Sequence, residues 1–175
     1  MEITLIRHTS VDVEPGICYG QSDVHVAASF EKEANAVRSK LHGQTFDCIY
    51  SSPLSRCLKL ADYCGCTNPV IDKRLMELDF GEWEMKRWAD IDDPQLQRWF
   101  NHWLDEKPTR GESFNDMINR VSDFISEIRR LSYQRVAIFT HAGVIRAVCI
   151  INDQFSAAEA FNHMVEYGDC VKIIV

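Results

Sequence analysis

Three clusters in this chain combine residue types that could do chemistry: Arg7-His8-Thr9, Ser51-Ser52 with Arg56 close behind, and Thr140-His141. Each follows a short apolar run. Two arginines and two histidines gathered in one place would form a positive pocket, and the planar fork of arginine matches phosphate oxygens in pairs. A neutral imidazole in such a pocket can attack phosphorus and carry the group covalently. Taken singly, the same residues have plainer readings. His8 and His141 can be polar residues at strand ends, and Arg56 a solvated helix residue. Their equivalent positions after separate strands are what join them.

The elements that must position them can be read from periodicity and turn chemistry. "EITLIR" (2–7), "FDCIYSS" (46–52), "PVIDKRL" (69–75), "RVAIFT" (135–140) and "DCVKIIV" (169–175) read as strands. Phe30, Ala34, Val37 and Leu41 recur at helical spacing, which predicts a helix over 28–42. Ser52-Pro53 predicts a helix start, with Ser52 as cap and proline in the first turn. Leu96, Trp99, Phe100, Trp103 and Leu104 form another stripe. The longest runs from Phe114 to Ile128, with Ser113 and Asp116 spaced as a capping box. "HAGVIRAVCII" reads as a buried helix. Strands alternating with helices predict an α/β fold, a three-layer α/β/α sandwich around a mostly parallel sheet. Ligands of such sheets bind beyond the carboxyl ends of the strands, where helix N-termini favour an anion.

Composition narrows the function classes. The 175 residues are 46% hydrophobic and 26% charged, which suits a single globular domain over 1–175. A net charge of −7 argues against nucleic acid as a partner. The chain contains no apolar run of membrane-spanning length and no secretion leader, so no membrane partner is expected. Seven cysteines, an odd number scattered through apolar segments, suit reduced thiols in a cytoplasm. Cys64 and Cys66 lack a second pair at metal-ligand spacing, and no metal is expected.

Six blocks in order, "LIRHT", "YGQSDV", "IYSSPLSRCLKLA", "RLMELDFGEWE", "PTRGESFNDMINRV" and "FTHAGVIRAV", resemble the histidine phosphatase superfamily, also called the phosphoglycerate mutase-like family. "CYGQSDV" and "ELDFGEWE" look most like its α-ribazole phosphatase branch. The resemblance implies a phosphomonoesterase with a small phosphorylated substrate and no cofactor. It implies His8 as nucleophile, Arg7, Arg56 and His141 as phosphate clamp, and Glu77 as proton donor, with Glu82 and Glu84 as rivals for that role. Thr9 stands where the family usually has glycine, and Ser10 where it often has Glu or Gln. Thr9, Ser10, Tyr19, Gln21 and Ala142 are the candidate substrate contacts. Residues 78–112 would be a lid-like insertion over the site. Within it, Trp99 and Trp103 read as packing, while Trp83 and Trp88 are more open candidates to stack on substrate. The alternatives are a broad-specificity or sugar-phosphate phosphatase of the same family, and a non-catalytic phospho-ligand binding module.

Overall fold

The computed structural model describes residues 1–175. Five strands form one sheet: β1 (Glu2–Arg7), β2 (Cys48–Ser51), β3 (Val70–Ile71), β4 (Arg135–Thr140) and β5 (Cys170–Ile174). Their order is β3-β2-β4-β1-β5. All neighbours run parallel except β5, which is antiparallel to β1. Five α-helices accompany them: α1 (Phe30–Leu41), α2 (Ser55–Tyr63), α3 (Gln95–His102), α4 (Phe114–Ile128) and α5 (Ala142–Ile151).

Strand alternation creates the layers. Side chains on successive strand residues point to opposite faces. Ile3, Leu5, Val136 and Ile138 therefore pack with α4 and α5 on one face. Ile6, Ala137 and Phe139 pack with Ala34, Val37 and Leu41 of α1 and Cys57, Leu60 and Ala61 of α2 on the other. Because both faces are covered, β1 and β4 are apolar on both sides, as central parallel strands should be. The α/β/α sandwich expected from the sequence is present.

Two elements differ from expectation. The "PVIDKRL" strand shrinks to Val70–Ile71, after which Lys73–Leu75 turns as a 3-10 helix. Asp72 caps that turn and pairs with Arg74, a local arrangement that competes with extension of the strand. Helix α2 starts at Ser55 rather than Ser52. Its cap comes from a distant residue: Asp23 Oδ1 accepts from both the backbone N–H and the hydroxyl of Ser55 at 2.8 Å. Ser52 Oγ keeps only a 3.3 Å contact from the Leu54 N–H just before the helix. By contrast, the Ser113–Asp116 capping box forms as expected at the start of α4.

The two ends of residues 78–112 are tied to each other at one neck, and Leu78, Trp83, Ile91 and Trp99 within the segment join the core beneath α4 and α5. At the neck Asp79 and Glu112 exchange hydrogen bonds, with Glu112 N–H donating to the Asp79 carbonyl and Asp79 N–H to Glu112 Oε1. Glu82 N–H donates to the Thr109 carbonyl at 2.9 Å. Within the segment, Asp93 accepts from Trp83 Nε1, Thr109 Oγ1 and Gln95 N–H. No helix of the chain is long and apolar enough to cross a membrane.

Candidate active site

The sheet register brings the distant clusters together. Arg7 on β1 lies opposite Thr140 on β4, and Ser51 on β2 lies opposite Phe139. The ladder continues one residue further: His8 N–H donates to the Thr140 carbonyl at 3.1 Å and Ser52 N–H to the Phe139 carbonyl at 2.9 Å. His8, His141 and Ser52 are therefore neighbours at the carboxyl edge, at about the 4.8 Å spacing of adjacent strands. The His8 and His141 rings lie 5.1 Å apart, edge to face.

His8 is almost fully buried, at 3% exposure. Its Nδ1 sits 2.7 Å from the Thr9 carbonyl oxygen. A carbonyl can only accept, so Nδ1 carries the proton and Nε2 keeps a free lone pair. Burial, then the guanidiniums of Arg56 and Arg7, push the His8 pKa down from 6.5 to about 3 against the opposing pull of the Thr9 carbonyl. The ring is neutral at physiological pH. His141 is also held neutral, its pKa pushed well down by burial first and by His8 and Arg56 next. Its Nε2 lies 2.8 Å from Ser52 Oγ, which also accepts from the Leu54 N–H at 3.3 Å.

Arg56 is fully buried in the first turn of α2. Its guanidinium donates to the carbonyls of Ser22 at 2.9 Å and Gly20 at 2.6 Å. Arg7 donates to the Val165 carbonyl and lies 3.8 Å above the centre of the Tyr167 ring. Neither arginine pairs with a carboxylate, whereas Arg74 and Arg120 both do. Burying a guanidinium without a counter-ion is costly unless an anion completes it. The cavity beside them, about 350 Å³, is lined by Arg7, His8, Arg56 and Glu77 at one end.

Of the three acidic residues weighed for proton transfer, only Glu77 lines this cavity. Its carboxylate accepts from Gly143 N–H at 3.2 Å, in the first turn of α5, and from Leu78 N–H at 3.0 Å. Glycine at 143 is required by that approach: a Cβ there would lie 2.1 Å from Glu77 Oε1. Glu82 pairs with Arg110 away from the cavity. Glu84 has a different task. It accepts from the backbone N–H groups of Gly20, Gln21, Ser22 and Phe80 at 2.9–3.2 Å. The carbonyls of Gly20 and Ser22 in that loop are the ones that hold Arg56. Glu84 thus sets the loop that sets the arginine.

The remaining candidates divide. Tyr19 and Ala142 line the cavity. The Tyr19 hydroxyl is 2.8 Å from that of Tyr167. Ser10 and Gln21 do not line it. Ser10 N–H donates to Glu33, and Gln21 Nε2 donates to the Glu77 carbonyl at 3.1 Å, so both organise loops. Thr9 is fully buried, with its carbonyl engaged by His8, and its side chain does not reach the cavity. His141 lies behind His8 rather than in the cavity wall.

The far end of the cavity is aromatic. Trp88 and Trp99 stack at 5.6 Å and 19°, with Phe80 against both. Both tryptophans line the cavity, while Trp83 is buried and donates to Asp93. Trp99 packs in the core as expected and also borders the cavity, whereas Trp83, expected to be more open, is fully buried. Helical spacing put Trp99 on a packed face, but that face also borders the cavity. Arg146, Phe161 and Tyr167 had no distinguishing sequence signal. Arg146 and Phe161 contribute to the wall, and Tyr167 supports Arg7.

The family model of the histidine phosphatase superfamily (branch 1) matches residues 3–173. The chain belongs to the histidine phosphatase superfamily. It is similar to the adenosylcobalamin/α-ribazole phosphatase of Escherichia coli strain K12, at 31% identity over 154 residues, covering 83% of this chain and 75% of that protein. Phosphoserine phosphatase 1 of Hydrogenobacter thermophilus is 28% identical over 158 residues, covering 85% and 74%. The crystal structure of the α-ribazole phosphatase from Shigella flexneri matches with a TM-score of 0.90 at 26% identity, covering 100% of this chain and 91% of that one. This histidine phosphatase is a phosphoric monoester hydrolase.

Proposed function

We propose that this histidine phosphatase hydrolyses α-ribazole 5′-phosphate through a phosphohistidine at His8. The observation that carries the mechanism is the commitment of His8 Nδ1 to the Thr9 carbonyl, which leaves a neutral Nε2 lone pair between two uncompensated arginines. Nε2 attacks phosphorus, and the bond from phosphorus to the ester oxygen breaks. Arg7 and Arg56 stabilise the charge spread over the equatorial oxygens, and His141 supports the His8 ring from behind. Glu77, carrying a proton, gives it to the departing alkoxide. The resulting carboxylate then takes a proton from the water that attacks the phosphohistidine, and the enzyme returns to its starting state.

Residues 78–112 act as the cover of the leaving-group end, and the Trp88–Trp99 stack offers a planar wall to a benzimidazole-like base. The names of the relatives in E. coli and Shigella flexneri support the same substrate. A non-catalytic binding module would have no use for an acid held at the cavity by the start of α5.

Rapid quenching after mixing with labelled substrate tests the nucleophile. The expected result is an acid-labile, base-stable phosphoenzyme in the wild type, absent in His8→Ala along with at least about 10⁴-fold of the turnover. A labelled intermediate persisting in His8→Ala overturns the assignment. The substrate is tested by kcat/KM on a panel: α-ribazole 5′-phosphate should exceed nucleoside and sugar phosphates. Comparable values throughout would favour a broad-specificity phosphatase.

A further inference from the structure

We propose that Arg146 reads the leaving group, donating hydrogen bonds to oxygen acceptors on the organic part of the substrate rather than to the phosphate. This rests on the phosphatase reading above and adds a specificity-determining residue to it. Arg146 follows Gly143 on α5 by about one helical turn, so it lies on the same face and roughly 5 Å further along the helix. Ala142, Gly143 and Arg146 all line the cavity.

The side chain is held in place by its surroundings. Its Nε donates to the His163 carbonyl at 3.0 Å, and its guanidinium lies 5.6 Å from the Phe161 ring centre, another part of the cavity wall. His163 is itself stacked on Phe155, with rings 3.8 Å apart and 8° from parallel. The turn Ala157–Asn162 that carries Phe161 is closed by a capping box between Ser156 and Glu159. With Nε engaged and the plane oriented, the two terminal nitrogens have no protein acceptor, and no carboxylate pairs with the group. Partial burial lowers its pKa, and the nearby Glu77 carboxylate pulls the other way.

Charge balance separates its role from the clamp. A phosphomonoester dianion is matched by the two guanidiniums of Arg7 and Arg56. The third arginine stands apart from that pair, beside Phe161 and one turn along α5 from the Gly143 that meets Glu77, the donor of the leaving group's proton. A planar fork there suits oxygen-rich leaving groups, whether sugar hydroxyls or a carboxylate.

The test compares wild type, Arg146→Met and Arg146→Lys on phenyl phosphate, ribose 5-phosphate and phosphoserine, with inorganic phosphate as competitive inhibitor. The wild type should prefer at least one oxygen-bearing substrate over phenyl phosphate. In Arg146→Met that preference should collapse by about tenfold to a hundredfold, mostly through KM. The Ki for inorganic phosphate and kcat/KM for phenyl phosphate should move by less than about threefold. Partial rescue by Arg146→Lys on phosphoserine alone would identify a carboxylate as the acceptor, and a loss confined to ribose 5-phosphate would identify hydroxyls. Parallel losses on every probe including inorganic phosphate, or no loss on any, would overturn the proposal, as would a wild type without the preference. Failure of the His8 reading shows separately, as wild-type turnover without a trapped phosphoenzyme.

Discussion

The two ends of the cavity are built in different ways. At the phosphate end, His8, Arg56 and His141 stand at or just beyond the ends of β1, β2 and β4, buried, with polar atoms tied to backbone carbonyls or to Ser52. At the leaving-group end, Phe80, Trp88 and Trp99 come from a segment of short turns and one short helix, and they hold one another mainly by ring contacts. Reaction chemistry needs groups placed within fractions of an ångström, which a hydrogen-bonded sheet edge supplies. Selection among leaving groups needs shape and apolar surface, which a segment of turns beyond the strand ends can vary without altering the strand ladder.

If that division is right, variants at the two ends should fail differently. Glu77→Gln should lower kcat on all substrates by about 10²–10⁴-fold, with the larger losses on alkyl esters, whose leaving oxygen needs the proton most. Steady-state rates on alkyl and aryl phosphates check this, and an equal small loss on both would move the proton donor elsewhere. Glu84→Ala removes the acceptor of four backbone N–H groups, and it should destabilise the fold by about 3 kcal/mol while weakening the phosphate grip through Arg56. Urea unfolding together with phosphate inhibition reads both effects. Loss of stability with an unaltered phosphate Ki would separate the loop from the clamp.

Acid sensitivity should also belong to the phosphate end. The folded pKa of His8 lies at about 3, below its ordinary 6.5, so between these values the unfolded chain binds a proton that the folded chain refuses. Stability from this residue is therefore complete above pH 6.5 and lost as pH falls through that window. The loss between pH 7 and pH 5 should be about 2 kcal/mol, with His141 acting in the same direction. Urea midpoints across that range check it, and His8→Asn should flatten the slope. The smallest effect is expected at the other end. Trp88→Ala should raise KM for α-ribazole 5′-phosphate by about fivefold while leaving kcat on phenyl phosphate within about threefold, since stacking contributes roughly 1 kcal/mol. A fall in kcat on both substrates would erase the distinction between the ends.

Much of the phosphate end was legible in the chain. Arg7-His8 and Thr140-His141 each lie at the end of a strand whose apolar run is hard to mistake, whereas the close approach of Glu77 to Gly143 shows only in the fold. Ser52 was legible as a polar residue beyond β2 but not as a partner of His141, because its cap role passed to Asp23, distant in sequence. Glu84 was indistinguishable from Glu77 on spacing, since both lie in one polar stretch and only the folded loop shows which faces the cavity. Arg146 sits in a helix whose apolar pattern predicts burial for its neighbours and says nothing of a wall. Trp83 was misplaced, and the cavity-facing edge of Trp99 was missed, because both depend on how residues 78–112 close at the Asp79–Glu112 neck.

The sequence alone determined the layers, the strand ends and the residue types gathered there, because side-chain periodicity and turn chemistry are local and leave a local record. Tertiary structure decided which carboxylate meets the cavity, which loop carbonyls hold Arg56 and which aromatics form the wall. Those outcomes depend on contacts between residues far apart in the chain, and no short stretch of sequence encodes them by itself.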